Sequence, residues 1–418
     1  MGLRNQRDGV TPAEDRERRR SPFTATDESH RVTTLELLFD LVFVFAVTSV
    51  TGFMSHRLTA MGLVEGLVIA ALMWFGWTAY AWLGNQARAD EGALRVSMMF
   101  AMAAFFVVAL TIPEAFDDHP GGLSGPLVFV TAYAVVRLAH LVVYTFAAGD
   151  DIELRRTVRR AFVSTLPALL LLGGGAFCDE QWRLVLWAAA VLTDYVGIFV
   201  SGARGWRVPA PGHFAERHQL VVIIAVGESI VAAGVGVEDA PITWALLLGA
   251  VLGIATSIAL WWTYFDVVAL VAGRTLSRLT GDDRTRLARD TFTYLHMPVV
   301  VGIIYLALGT KVVLMQVATV ADGEHAEFSG PALFALYGGT ALYLLAMSAV
   351  RWRDVGNPNV PRIVVALVLV GVNVGAAAGR LTGLVNLAFV SGVLVALVAY
   401  ETVRHKEARQ AIRSDAEI

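Results

Sequence analysis

Apolar stretches of about twenty residues, long enough for a helix to cross a bilayer, recur a dozen times along this chain and are separated by short polar segments. Inside hydrocarbon every backbone N–H and C=O must be satisfied within the protein, which leaves helices and closed barrels as spanning structures. These runs are continuous and do not alternate apolar with polar residues, so a barrel is excluded. The pattern predicts helices over 33–54, 60–83, 94–112, 125–147, 158–178, 183–203, 214–237, 241–268, 291–315, 328–350, 361–379 and 381–403.

Basic residues sort with these segments. Both tails and the even-numbered loops hold clusters such as Arg155, Arg156, Arg159 and Arg160, or Arg274, Arg278, Arg284, Arg286 and Arg289. The odd-numbered loops and adjoining helix ends hold only Arg57, Arg183, Lys311 and Arg380. Lys and Arg near helix ends are retained in the cytoplasm, so both termini are predicted there. Residues 1–31 and 405–418 mix Arg with acids and read as solvated cytoplasmic tails.

The chain also repeats itself. Asp118-His119…Ser124-Gly125-Pro126-x-x-Phe129 before the fourth span returns as Glu324-His325…Ser329-Gly330-Pro331-x-x-Phe334 before the tenth. Trp77-Thr78-Ala79-Tyr80 is matched by Trp262-Thr263-Tyr264, and the first and seventh spans both open with an acid, Glu36 or Glu216. Three matches in one order predict six-helix halves at 32–203 and 204–404. Six is even, so the halves share an orientation, as in transporters with parallel repeats. The expected fold is an all-α polytopic membrane protein of about twelve transmembrane helices in two parallel six-helix repeats.

Composition narrows the function classes. The chain is 56% hydrophobic and 17% charged, where a soluble chain carries about 25% charged residues, and its mean hydropathy is +0.60. Nucleic-acid readout, a small secreted disulfide scaffold and a soluble Rossmann or TIM core are excluded. The net charge of −3 sums over both membrane faces and says little. Cys178 stands alone and makes no internal crosslink. The acidic and basic first 31 residues lack the apolar core of a signal peptide.

Charge at mid-membrane costs at least ~2.5 kcal/mol on insertion scales, so intramembrane ionisable residues mark function. They are Glu36 and Asp40 in the first span, Arg137 and His140 in the fourth, Asp194 in the sixth, Glu216, Arg217, His218 and Glu228 in the seventh, Asp266 in the eighth and His296 in the ninth. Glu36 and Asp40 share a helix face and repel unless a cation, a proton or an Arg lies between them. Arg137 needs a counter-ion, for which Asp194 and Glu228 have the right depth. Arg217 and Glu228 are eleven residues apart, about three turns, and fall on one stripe. His296 precedes Met297-Pro298, where proline frees a carbonyl that a neighbour must satisfy. Glu216, His218 and Glu228 fit no metal-binding spacing, so no metal or other cofactor is expected. Gly371-x-x-x-Gly375-x-x-x-Gly379 and Gly249-x-x-x-Gly253 read as flat faces for close helix contact.

Four segments carry a resemblance. They are Thr34-Leu-Glu36-Leu-Leu-Phe39-Asp40 with Phe43-Val-Phe45-Ala46; His213-Phe-Ala-Glu216-Arg217-His218 leading to Gly227-Glu228-Ser229-Ile230; Trp261-Trp262-x-Tyr264-Phe265-Asp266; and Tyr294-Leu295-His296-x-Pro298. Together they resemble the bacterial low-temperature-requirement A (LtrA) family. The resemblance implies a multi-pass protein of the bacterial cell membrane and brings no substrate. It places Glu36, Asp40, Glu216, Arg217, His218, Glu228, Asp266 and His296 in the family's motifs; Arg137, His140 and Asp194 lie outside them.

The leading expectation is a transporter or permease with a polar path and proton coupling, its partners the lipid bilayer and a small solute or ion. An ion channel and a membrane-embedded enzyme acting on lipid are the alternatives. The enzyme is disfavoured because the acids and histidines run from the membrane mouth to mid-depth instead of gathering at one interface.

Overall fold

The computed structural model describes residues 23–235, 237–238, 240–319, 328, 330–376, 381–404 and 406–407. Its named elements are all helical. They are α1 (Thr34–His56), α2 (Ala60–Gln86), α3 (Gly92–Thr111), α4 (Gly125–Ala147), α5 (Ile152–Ala176), α6 (Glu180–Ser201), α7 (Pro211–Gly234), α8 (Trp244–Phe265), α9 (Val268–Arg278), α10 (Gly281–Leu287), α11 (His296–Thr319), α12 (Gly330–Val355), α13 (Val360–Ala376) and α14 (Gly383–Arg404). Among the described residues, ten helical stretches are long and apolar enough to cross a membrane. The two others where a crossing was expected differ in kind: α5 carries four arginines in its first turns, and α13 is short.

Local chemistry sets the helix starts. Thr33 and Glu36 form a reciprocal capping box on α1. Thr59, Asp151, Asp179 and Thr243 cap α2, α5, α6 and α8 with side-chain oxygens, satisfying N–H groups that the helix itself leaves free. Gly356 ends α12 in the left-handed conformation.

The centre of the bundle is α2 and α11, with 78% and 89% of their apolar windows buried, whereas α6 is peripheral at 17%. α11 packs on α7, α12 and α1. Its contact with α12 depends on glycine: a Cβ at Gly302 would stand 2.7 Å from the Tyr343 nitrogen, and one at Gly309 2.7 Å from Leu336 Cα.

The structure departs from the pattern in three places. The stretch between the eighth and ninth spans, expected as a basic loop, forms α9 and α10, and α10 runs through a π-helical turn (Ala288–Leu295) into α11. Gly371 and Gly375 face open space, so they are not the expected close-contact face, and Gly379 lies outside the described residues. Gly249 and Gly253 do face α11, opposite Leu314 and Thr310. Part of the N-terminal tail is anchored: Arg88 N–H donates to Thr24 carbonyl at 2.8 Å, and Thr26 hydroxyl donates to Asn85 carbonyl. In the repeated loop motif, Asp118 accepts from the Gly125 N–H at 2.9 Å, while Glu324, His325 and Ser329 lie outside the described residues.

Candidate functional site

α1, α2 and α7 meet near the arginine-rich end of the bundle, and their polar residues converge there. Arg217, fully buried on α7, donates from Nη1 to Glu36 at 2.8 Å and from Nη2 to Asp40 at 2.7 Å. The guanidinium thus occupies the position between the two α1 carboxylates where like charge would otherwise repel, and its planar fork suits it to bridge two acceptors. Trp77 of α2 donates its indole N–H to Asp40 at 2.9 Å, and its ring lies 5.5 Å from the Arg217 carbon. Asp40 Oδ2 has no hydrogen-bond partner.

Glu36 is held from all sides. Its Oε2 accepts from the Thr33 N–H at 2.9 Å as part of the helix cap, and His213 Nε2 lies 3.0 Å from Oε1. A side chain at Gly84 would stand 2.5 Å from Oε1, so glycine is what lets α2 pass. The His213 tautomer follows from its neighbours. Asn85 donates to the Ala210 carbonyl at 2.6 Å and accepts from the Ala210 N–H, which turns its amide nitrogen toward His213 Nδ1 at 3.2 Å. Nδ1 therefore accepts, and Nε2–H donates to Glu36. His30, from the segment before α1, lies with its ring 4.6 Å from His213; burial, and then the neighbouring His213, hold it below its ordinary pKa, in the neutral form.

His30, Glu36 and His213 bring atoms of metal-ligand type within 4.8 Å of one another. In this structure Glu36 is already bonded by Arg217, His213 and Thr33. A metal ion would have to displace Arg217 or Thr33 from Glu36 and reverse the Asn85 amide, against two bonds to Ala210.

The remaining predicted residues fall into separate groups. On α4, Arg137 donates from Nη2 to Asp194 of α6 at 2.7 Å, and Thr165 of α5 bonds both partners. His140, a turn away, packs between the Tyr80 and Tyr144 rings. His218 of α7 donates Nδ1–H to the Phe214 carbonyl at 2.8 Å, which leaves its buried Nε2 without a partner, and its ring lies 5.8 Å from that of His296. His296 donates Nδ1–H to the Thr291 carbonyl and accepts from Tyr264 hydroxyl, both at 2.8 Å. Neither bond of His296 goes to a carbonyl that Pro298 would free; within the π turn, Trp74 indole donates to the Thr293 carbonyl at 2.7 Å.

Glu228 is buried three turns along α7 from Arg217, where it accepts from the Thr48 hydroxyl of α1, with Lys311 of α11 as electrostatic partner. Beyond His218 on α7 and Asp40 on α1, the buried residues up to Glu228 and Thr48 are apolar: Phe43, Ala46, Val47, Val221, Val222, Ala225 and Val226. The predicted stripe therefore exists as two polar levels with an apolar layer between them. Glu216 and Asp266 are half-buried, at the second turn of α7 and the C-cap of α8.

Sequence reasoning gave His213 no role, although it opens one of the motif segments, and passed over Asn85, Thr48, Thr165 and Glu65. His213 and Asn85 lie at helix ends and look interfacial until the loop before α7 folds over them. Glu65 is fully buried one turn into α2, 3.6 Å from Arg57, which also pairs with Glu180; an acid that early in a span was the available signal. Replacing Trp77 with Phe removes a donor to an ionised acceptor, and the expected cost is about 1.5–3 kcal/mol. The measurement is the thermal midpoint of purified protein, and an unchanged midpoint would take Trp77 out of the cluster.

Comparison with known proteins agrees with the motifs on these helices. The chain is 28% identical over 323 residues to an uncharacterized protein of Rhizobium meliloti (strain 1021), a match covering 72% of this chain and 74% of that one. No solved structure matches significantly. The family described as bacterial low temperature requirement A protein (LtrA) matches residues 31–399, from the segment before α1 to near the end of α14. The chain therefore belongs to the LtrA family.

Proposed function

We propose that this protein is a transporter of the bacterial cell membrane in which a proton or cation binds at the Glu36–Asp40–Arg217 cluster as part of the translocation cycle. One observation carries the reading: two fully buried carboxylates face one guanidinium, and Asp40 Oδ2 has no partner. An uncompensated buried charge is costly, and the free oxygen is where a proton or cation offsets it. Glu228, one level further along α7, is the next carboxylate on the route, and the apolar layer between them is the closed gate of this conformation. In this reading the chain crosses twelve times as two parallel halves, both termini are cytoplasmic, and Glu36, Asp40, Arg217 and Glu228 lie where α1 of one half meets α7 of the other. Arg137, Asp194 and the His218–His296 pair then brace the route.

Proteoliposomes are expected to show solute flux that responds to a pH gradient. Asp40→Asn and Glu228→Gln are each expected to abolish the pH response while the protein still reconstitutes. Flux unchanged in both variants would end the proposal. Unitary currents without saturation or counterflow would instead identify a channel.

A further inference from the structure

Four guanidiniums in the first turns of α5 stand without a counter-ion. Arg155, Arg156, Arg159 and Arg160 are exposed and make no ion pair among the described residues, whereas Arg289, Arg353 and Arg362 at the same end of the bundle each meet an acid within 3.0 Å. The acids beside them in sequence are mostly committed: Asp151 and Glu153 pair with Arg207 at 3.3 and 2.9 Å, and Glu153 also lies 3.9 Å from Arg204. That leaves exposed Asp150 alone against the four arginines. Arg155 and Arg159, one helical turn apart, border an open hollow of about 470 Å³ together with Thr145, Phe146 and Ile152. Beyond the hollow, Val163, Leu166 and Leu170 continue the line of Arg155 and Arg159 at steps of three or four residues, and so lie on the same face of α5. They are 74%, 47% and 76% exposed. At 1.5 Å per residue they fall about 6–16 Å past Arg159, the depth of hydrocarbon in one leaflet, about 15 Å.

We propose that this face of α5 binds an anionic phospholipid, its phosphate held in the hollow by Arg155 and Arg159 and its acyl chains laid along Val163, Leu166 and Leu170. Holding the loop in the cytoplasm needs only the charge of the arginines. Two guanidiniums one turn apart add a pair of forks that match phosphate oxygens, and basic pockets at the cytoplasmic ends of membrane helices take anionic headgroups. A soluble phosphate would use the guanidiniums and leave the apolar stripe idle. A zwitterionic lipid would cover the stripe but bring its own cation to the arginines. Only an anionic lipid matches charge and apolar face in the order in which α5 presents them. The site goes beyond the transport proposal: it needs α5 to lie in the bilayer but needs no flux, so either can fail alone.

The test places the full chain in phosphatidylcholine nanodiscs that carry a rising fraction of phosphatidylglycerol with a photoactivatable acyl chain, and reads crosslinks to α5 by mass spectrometry of its peptides. Crosslinking is expected to saturate with phosphatidylglycerol and to rise without saturation for the corresponding phosphatidylcholine probe. Arg155→Gln with Arg159→Gln should raise the half-saturating fraction about thirtyfold, the worth of two arginines at a charged surface. Arg95→Gln with Arg404→Gln, which removes the same charge from two exposed arginines elsewhere at that end, should leave it unchanged. Excess inorganic phosphate should not displace the lipid. Equal behaviour of the two lipid probes, absence of crosslinks to α5, equal shifts in the two double variants, or displacement by phosphate would each overturn the proposal, the last by assigning the hollow to a soluble anion.

Discussion

Arg217→Ala is expected to lower the stability of the folded protein by about 3–5 kcal/mol, the usual cost of removing one partner from a buried ion pair. The loss is large because the guanidinium serves two fully buried acids at 2.8 and 2.7 Å. Its deletion leaves both facing each other across one helical turn. Arg217→Lys should recover only part, since an ammonium is a single point of charge and cannot span both carboxylates in the planar geometry. The triple variant Glu36→Gln, Asp40→Asn, Arg217→Met should recover most of the loss, because no charge is left unpaired. Thermal midpoints of the purified variants decide the matter. A triple variant no more stable than Arg217→Ala would mean that packing, and not charge, holds α1 to α7.

The second large effect concerns bulk. Gly339→Ala is expected to force α11 and α12 apart, because the new Cβ would stand 2.7 Å from the Leu306 nitrogen and 2.9 Å from the Gly302 carbonyl. Both are backbone atoms, so no side-chain rotation relieves the clash, and overpacking of this kind costs about 1–3 kcal/mol or more. Gly302→Ala meets the same surface from the other side, 2.7 Å from the Tyr343 nitrogen. Gly371→Ala and Gly375→Ala have nothing within 4 Å and are expected to change stability little or to raise it, since alanine favours helix over glycine by up to ~1 kcal/mol. Equal losses in all four variants would show that the α11–α12 approach has no special role.

These two cases mark what the sequence discloses. Hydrophobic runs reveal helices because a membrane crossing is a one-dimensional property; most helical stretches fall within about six residues of the predicted spans, while Trp244–Arg278 and Gly281–Thr319 extend well beyond theirs. Same-helix pairing is also one-dimensional, so the repulsion between Glu36 and Asp40, and their need for a cation or an Arg, could be read from spacing. Which Arg answers that need is a property of packing: Arg217 lies 181 residues from Glu36. Arg137 found Asp194, one of the two acids that depth had offered. Glycine spacing misled for the same reason. Gly371 and Gly375 have the expected interval without a facing helix, while Gly302 and Gly309, seven apart, have a partner that supplies Gly339. The π turn was invisible because it inserts a register shift within a continuous helical pattern.

The double duty of Glu36, capping α1 and binding Arg217, sets an order on biosynthesis. The cap bonds to Thr33 are local and form as soon as α1 does, but the guanidinium emerges 181 residues later, roughly 10–40 s at ordinary rates of translation. Throughout that interval the first crossing holds two acids with no resident cation. A nascent chain arrested before residue 217 should therefore be a substrate for membrane quality control, and one arrested after α7 should escape it.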